Sequence, residues 1–271
     1  MTEERSEERH LYDYDVDPTS DTAPARVCRM VGRNKRVLEI GAGPGSITRV
    51  LKQQDNRITA LEVDPTAIPF LERHCDGVVP ADLNRADWPA LFPDRFDAIV
   101  AADVLEHLTD PWTTLERMKS LLAPGGAIVV SVPHASHVCI VACLLQEDVE
   151  YRDWGLLDRT HIRFFGLVNL QAMFRRAGLK IVRGEFVVRT PEETEFKDKW
   201  AALPDEARSF LGRQRFGHVY QVVVTAALTE DPRPEIELMQ LDPVSFGGKQ
   251  RLWQDSARDA LRSLASRVKR P

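Results

Sequence analysis

Val37-Leu38-Glu39-Ile40-Gly41-Ala42-Gly43-Pro44-Gly45 is the stretch on which the fold turns. An aliphatic run ends in three glycines at alternate positions, and Ser46 opens a segment of helical period. Strand, tight turn and helix in that order let a backbone bend sharply and approach a ligand closely, which a Cβ would prevent. A dinucleotide-binding loop would carry its third small residue at 46, where this chain has Ser46. Glu39 sharpens the distinction. A carboxylate beside the loop repels a pyrophosphate, whereas a cationic amino-acid ligand needs an acceptor for its ammonium group.

Outward from this loop, short β-rich runs at 36–40, 57–62, 96–101 and 127–132 alternate with helical segments. That alternation predicts a parallel sheet wrapped by helices, a doubly wound α/β fold. In the helix expected over 110–122, Asp110 caps, Pro111 fits the first turn, and Trp112, Leu115, Met118 and Leu122 form the apolar stripe. Pro124-Gly125-Gly126 stops it. A second helix over 168–177 ends at Gly178. Strands at 179–188 and 219–228, separated by a helical pattern at 204–213, suit an antiparallel finish to the sheet.

The flanks differ from this core. Residues 1–24 hold eight acidic side chains against two arginines and predict a mobile acidic arm. Residues 25–228 form the domain, with a substrate-side insertion at 134–165, and 229–271 are a linker followed by a basic tail. Residues 249–271 carry seven Lys/Arg against two Asp, and Leu252, Ala257, Leu261, Leu264 and Val268 draw an apolar stripe. The tail reads as an amphipathic helix docked on the domain or on a second subunit, with an anionic-surface contact as the alternative.

At 271 residues one α/β domain with appendages is expected. No apolar run approaches the roughly 20 residues of a spanning helix, and Met1 to Arg9 is too charged for a secretory signal, so a cytoplasmic address is expected. Four cysteines at irregular spacing read as free thiols. A net charge of -5 provides no general field for a polyanion, which argues against bulk nucleic acid as a partner.

Further carboxylates follow the loop. Glu62 ends the second strand, where its two oxygens can hold ribose hydroxyls. Asp64, before Pro65, reads as a helix cap. A short third strand at 78–83 carries Asp82, able to accept from an adenine amino group or to cap a turn, with Leu83 over the ring face.

With these motifs in order, the chain resembles class I S-adenosylmethionine-dependent methyltransferases of the bacterial small-molecule branch, including ubiquinone-pathway-like enzymes, over about 37–228. The resemblance implies a seven-stranded, mostly parallel, Rossmann-like sheet with the last strand antiparallel. It implies S-adenosylmethionine as cofactor, with Gly41, Ala42, Gly43 and Gly45 at the methionine end beside Glu39, Glu62 at ribose, and Asp82 with Leu83 at adenine. Ala102 and Asp103, at the end of the fourth strand, are implied neighbours of the methionine portion.

Glu106 and His107 read as fixing the following loop or as touching substrate. Relatives often carry Asn after the proline of the fifth strand, where this chain has His134. The stretch Asp158-Arg159-Thr160-His161-Ile162-Arg163-Phe164-Phe165 resembles one found in methyltransferase-like proteins of glycan and secondary-metabolite pathways. For a hydroxyl acceptor a histidine is the natural base, and His161 beside Asp158 is the candidate pair, against a purely structural role. His134, His137, Cys139 and Cys143 are too crowded for a tetrahedral zinc site, and no metal is expected; the two cysteines are expected one turn apart on a buried helix face. The expected activity is methyl transfer to oxygen, with nitrogen second, of a small molecule or saccharide intermediate. The rival is a non-catalytic binding or scaffold protein that keeps the fold.

Overall fold

Seven strands form one sheet in the computed structural model, which describes residues 12–243. They are β1 (Arg36–Ile40), β2 (Arg57–Glu62), β3 (Gly77–Pro80), β4 (Phe96–Ala102), β5 (Leu122–Pro133), β6 (Leu179–Val188) and β7 (Val219–Leu228). The spatial order is β3-β2-β1-β4-β5-β7-β6. All pairs from β3 to β5 are parallel, and β7 runs antiparallel to both β5 and β6. Winding reverses between β1 and β4, and ligands of doubly wound sheets bind in the crevice at that point.

The helices are α1 (Ala23–Val31), α2 (Ser46–Gln53), α3 (Ile68–Leu71), α4 (Pro111–Ser120), α5 (Val138–Leu145), α6 (Leu167–Arg176), α7 (Lys197–Ala201) and α8 (Asp205–Leu211). Alternation along the central strands decides which side each residue serves. Val37, Val100, Val129 and Val223 pack against Val27 and Val31 of α1 and Val50 and Leu51 of α2. On the other face Leu38, Ile99, Ile128 and Val224 share a core with Leu115 and Met118 of α4 and Leu170 and Phe174 of α6. Both faces are therefore covered, as a parallel sheet requires. A third cluster joins Val138, Cys139 and Cys143 of α5 to Leu156, Leu157, Phe196 and Trp200, so segments 134–165 and 189–218 pack as one unit. Cys139 and Cys143 are both buried free thiols one turn apart.

Asp110 caps α4 by accepting from the Thr113 N–H at 3.0 Å. Two members of its expected stripe lie elsewhere. The helix ends at Ser120, so Leu122 pairs with Phe96 as the first residue of β5, and Trp112 is 40% exposed with the Arg163 guanidinium 5.6 Å from its ring. Pro124-Gly125-Gly126 is accordingly an irregularity inside β5.

The flanks also differ from their composition. Ser46 Oγ donates to the Tyr12 carbonyl at 3.0 Å and accepts from the Tyr14 N–H at 3.1 Å, and Arg49 holds Asp13 and the Tyr14 carbonyl, each at 2.8 Å. The described part of the acidic arm, 12–22, is thus held by side chains of α2. Within 229–243, the Ile236 N–H donates to Ile181 O at 2.8 Å and Leu238 is fully buried, so the segment read as a linker packs on β6 and α6. The tail helix and residues 1–11 lie outside the described residues. Among the described residues no helix is long and apolar enough to cross a membrane.

Two adjacent glycines test this account of β5. A Cβ on Gly126 would lie 2.9 Å from both Ala123 O and Phe96 O, whereas one on Gly125 meets nothing within 4 Å and faces only its φ of +75°. Urea unfolding is expected to show Gly126→Ala costing about 2–3 kcal/mol and Gly125→Ala about 1 kcal/mol. Equal costs would contradict it.

Candidate active site

The turn after β1 is closed by a carboxylate from the neighbouring strand. Glu62 Oε2 accepts from the Gly43 N–H at 2.7 Å, and Oε1 accepts from the N–H groups of Val63 and Asp64 at 2.7 and 2.8 Å. Gly41, Gly43 and Gly45 all have positive φ, and a Cβ at Gly41 would press into Val104 Cγ2 at 2.8 Å. The backbone turn and the start of the next loop thereby share one anion. Oε2 keeps a lone pair for one further donor.

Glu39 lies at the floor, 3% exposed. Its Oε2 accepts from Thr48 Oγ1 at 2.7 Å, and Oε1 has no protein partner among the described residues. Burial pushes its carboxyl up to about 7, with the Thr48 hydrogen bond opposing and the charge of Glu62 adding. Tyr14, laid in from the arm, is pushed up by burial and by Asp103 and Glu39.

The end of β4 supplies the opposite wall. Asp103 adopts a left-handed φ of +52°, unusual for a residue with a side chain. Its N–H donates to Ser131 O and Oγ, both at 3.0 Å, while Ser131 Oγ donates back to Oδ1 at 2.9 Å. Gln221 Nε2 bridges both carboxylate oxygens at 3.0 and 2.9 Å. Burial raises the Asp103 pKa, and these donors only partly offset it.

One turn later the chain makes a short 3-10 helix, Leu105–His107. Glu106 is 1% exposed, and among the described residues neither of its carboxylate oxygens has a hydrogen-bond partner. Burial first and Asp103 second drive its pKa well above the usual carboxylate range. His107 Nδ1 lies 3.2 Å from Thr160 O and 3.0 Å from Thr160 Oγ1. His161 Nδ1 lies 3.3 Å from Leu156 O, and the two imidazoles meet edge-on with centroids 4.8 Å apart. Burial, then His107, lowers the His161 pKa.

The Asp158 carboxylate does not hydrogen-bond the His161 ring. Its Oδ1 takes the Thr160 N–H at 2.8 Å and the Thr160 hydroxyl at 2.6 Å, a local turn, and only its backbone carbonyl meets the His161 N–H. A carboxylate two residues upstream is better placed to close that turn than to reach the ring.

Glu39, Gly41, Ala42, Gly43, Glu62, Ala102, Asp103, Glu106, His107, Asp158 and His161 all line one cleft of about 670 Å³. Gly45 begins α2 behind it. Asp82 lines a second hollow of about 400 Å³ with Val63 and Trp88, and its Oδ1 accepts from the Asn84 N–H and side-chain amide at 2.9 and 3.1 Å. Leu83 departs from expectation: β3 ends at Pro80, and Leu83 turns into the main core beside Trp88, 7% exposed. Val63, 61% exposed, and Leu91, 52% exposed, are apolar side chains on that hollow. Asp64 closes a turn through the Thr66 N–H at 2.8 Å.

His134 and His137 are spent on structure, with His134 Nδ1 at 3.1 Å from Val219 O and His137 Nε2 at 3.0 Å from Arg189 O. Tyr12, Tyr14, Trp154, Tyr220 and Gln221 line the cleft without having been singled out in the sequence. The two tyrosines flanking Asp13, aromatic in an otherwise acidic arm, were the available signal. Gln221 had none, because it is one polar residue in an apolar strand.

Residues 19–183 match a family profile described as a methyltransferase domain. The ubiquinone biosynthesis O-methyltransferase of Xylella fastidiosa (strain 9a5c) is 27% identical over 150 residues, covering 54% of this chain and 61% of that protein. The chain thus spans about three fifths of that relative's length. Among solved structures, the 1,6-didemethyltoxoflavin-N1-methyltransferase of Burkholderia thailandensis, with 1,6-didemethyltoxoflavin and S-adenosylhomocysteine bound, superposes with a TM-score of 0.51 at 21% identity, covering 78% of this chain and 80% of that one. The cyclase SpnF also superposes, with a TM-score of 0.51 at 18% identity over 79% of this chain and 86% of that one. At such identities the likeness is one of fold, and one fold hosts several chemistries.

The buried Glu39 makes stability pH-dependent. Its folded pKa of about 7 exceeds the unfolded value of 4.5, so between those limits the folded chain binds more protons and stability falls as pH rises. The loss from this group amounts to about 3 kcal/mol at 1.36 kcal/mol per pH unit. Unfolding of the ligand-free protein at pH 5 and pH 8 is expected to show that loss shrinking in Glu39→Gln. An unchanged difference would remove Glu39 as its source.

Proposed function

Because the chain belongs to the methyltransferase-domain family, we propose that it moves a methyl group from S-adenosylmethionine to an oxygen, in preference to a nitrogen, of a small molecule or saccharide intermediate. The observation that carries this reading is Glu39. A buried carboxylate with one oxygen open to the cleft, beside a glycine turn, is an acceptor waiting for a cationic group. The ammonium of the cofactor's methionine portion answers that need, and Gly41, Ala42, Gly43 and Gly45 let it approach the backbone. The spare capacity of Glu62 Oε2 suits one ribose hydroxyl. Asp82 retains an oxygen for the adenine amino group, with Val63 in place of Leu83 as the apolar neighbour. Ala102 and Asp103 flank the methionine portion.

The cofactor supplies an already activated methyl carbon on a sulfonium, so the chain's task is alignment and exclusion of water. The acceptor enters from the side of the 134–165 insertion, where Trp154, Gly155, Thr160 and His161 form the wall. Removal of a hydroxyl proton belongs to the corner around His161, whose ring is set by the Leu156 carbonyl. Asp158 acts on that corner through Thr160. Two features favour oxygen: the imidazoles grouped at one end of the cleft, and the O-methyltransferase activity named for the curated relatives.

Calorimetry with S-adenosylhomocysteine tests the cofactor reading. The wild type is expected to bind, and Glu39→Gln to bind roughly 10–100-fold more weakly, the worth of one charge-assisted hydrogen bond. Tight NAD binding with no response to S-adenosylhomocysteine would overturn it. Labelled S-adenosylmethionine offered with phenolic, saccharide and amine acceptors then decides the target atom; label appearing only on amines rejects the preference for oxygen.

A further inference from the structure

We infer that Trp154 selects the acceptor by stacking on an uncharged ring face, and that the cleft turns away acceptors bearing phosphate or carboxylate. The inference deepens the methyl-transfer reading and rests on it for the reaction, though not for the binding of the ring.

An exposed apolar side chain standing alone is commonplace on a protein surface. Trp154 is set apart by the loop that carries it. The indole is 61% exposed and lines the cleft, yet the backbone around it is closed and anchored. The Arg152 N–H donates to Leu157 O and the Arg159 N–H to Arg152 O, both at 2.9 Å, which folds 152–159 back on itself. Leu156 and Leu157 are buried against Phe196 and Trp200. Gly155 adopts a φ of +94°, and a Cβ there would overlap the Glu195 carboxylate.

Glu195 ties this loop to β7. Its Oε1 accepts from the Leu156 N–H at 2.6 Å, and its Oε2 accepts from the Tyr220 hydroxyl at 3.0 Å. One carboxylate thus positions two parts of the cleft wall, and Tyr12 of the arm, whose carbonyl is held by Ser46, lines the same space. A fixed backbone leaves the indole only its own side-chain torsions, so little entropy is lost when a ring settles on it. Its flat apolar face suits an aromatic ring or the C–H face of a sugar.

Charge is the second, independent observation. Glu39, Glu62, Asp64, Asp103, Glu106 and Asp158 line the cleft, and among the described residues no lysine or arginine does. Guanidinium groups of the surrounding segments are engaged elsewhere: Arg49 with Asp13, Arg159 with Asp153, and Arg163 with Thr109 O. Burial and then His107 lower the His161 pKa, so that ring adds no charge near neutral pH. The N-terminus of α2 opens at the glycine turn and not beside Trp154. Protonation of the buried Glu39 and Glu106, together with the net positive charge of the cofactor, reduces this field without reversing its sign. An anionic acceptor entering past Trp154 meets like charge and no cation to pair with. Rings without phosphate, carboxylate or a nucleotide carrier are therefore favoured.

The test places 5-fluorotryptophan at the five tryptophans of the full chain and assigns the Trp154 resonance with Trp154→Phe. In protein saturated with S-adenosylhomocysteine, hydroquinone or methyl glucoside is expected to shift that resonance, the first standing for aromatic rings and the second for sugar faces. Their anionic counterparts, 2,5-dihydroxybenzoate and glucose 1-phosphate, are expected to bind at least about 10-fold more weakly. Trp154→Ala is expected to weaken the neutral ring at least about 10-fold, and Trp154→Phe to restore most of that loss. Glu195→Ala is expected to move the Trp154 resonance of the ligand-free protein and to weaken the ring, as a positioning residue should. Binding of S-adenosylhomocysteine, read by calorimetry, shows that a variant is folded; for one that is not, the wild-type resonance decides. A wild type that does not bind S-adenosylhomocysteine sinks the cofactor reading alone, and the same titrations without it then decide the ring site. A Trp154 resonance unmoved by both neutral rings, an equal response to an anionic counterpart, or undiminished ring binding by folded Trp154→Ala overturns the proposal.

Discussion

The carboxylate of Glu62 is the point on which the cleft depends. By accepting three backbone N–H groups it satisfies donors that two sharp turns would otherwise leave stranded at the ends of β1 and β2. Strand pairing supplies its position, since Ile40 lies opposite Leu61 in a parallel register. With those turns fixed, Gly41 can lie against Val104, and the end of β4 comes close enough to form a second wall. Sheet register, glycine conformation and cleft width are consequences of one another here.

Around that anchor, four carboxylates experience four environments. Glu62 takes three backbone donors and keeps one lone pair on Oε2, Glu39 has one hydroxyl and one open oxygen, and Asp103 is bridged by Gln221 and Ser131. The Glu106 carboxylate is buried with no hydrogen-bond partner among the described residues. Acids with the same intrinsic chemistry are therefore divided by what surrounds them: one organises backbone, one awaits a cation, one is clamped, and one is left unsatisfied.

The strands were legible because their signals are local. The aliphatic runs of β1 and β2, the glycine loop and Asp110 before Pro111 each carry their reason within a few residues. Where two local signals competed, composition misled: Leu122 fits a helical stripe and a strand equally well, and pairing with Phe96 settled it. The acids of 12–22 read as a loose arm because Ser46 and Arg49, which hold it, lie more than thirty residues away. Asp158 and His161 were paired by proximity in sequence, but ring orientation is set by carbonyls whose direction no sequence displays. Gln221 reaches Asp103 across a fold whose strand order has to be known first.

That strand order has a kinetic side. Among the described residues β6 pairs only with β7, and β7 also supplies the bond line that extends the sheet beyond β5. Because β7 stands between β5 and β6, β6 joins the sheet only once that later strand is in place, a non-local pairing of the kind that slows folding. The same late arrival brings Gln221 to Asp103. The second wall is thus complete only in a chain in which β7 has paired with β5.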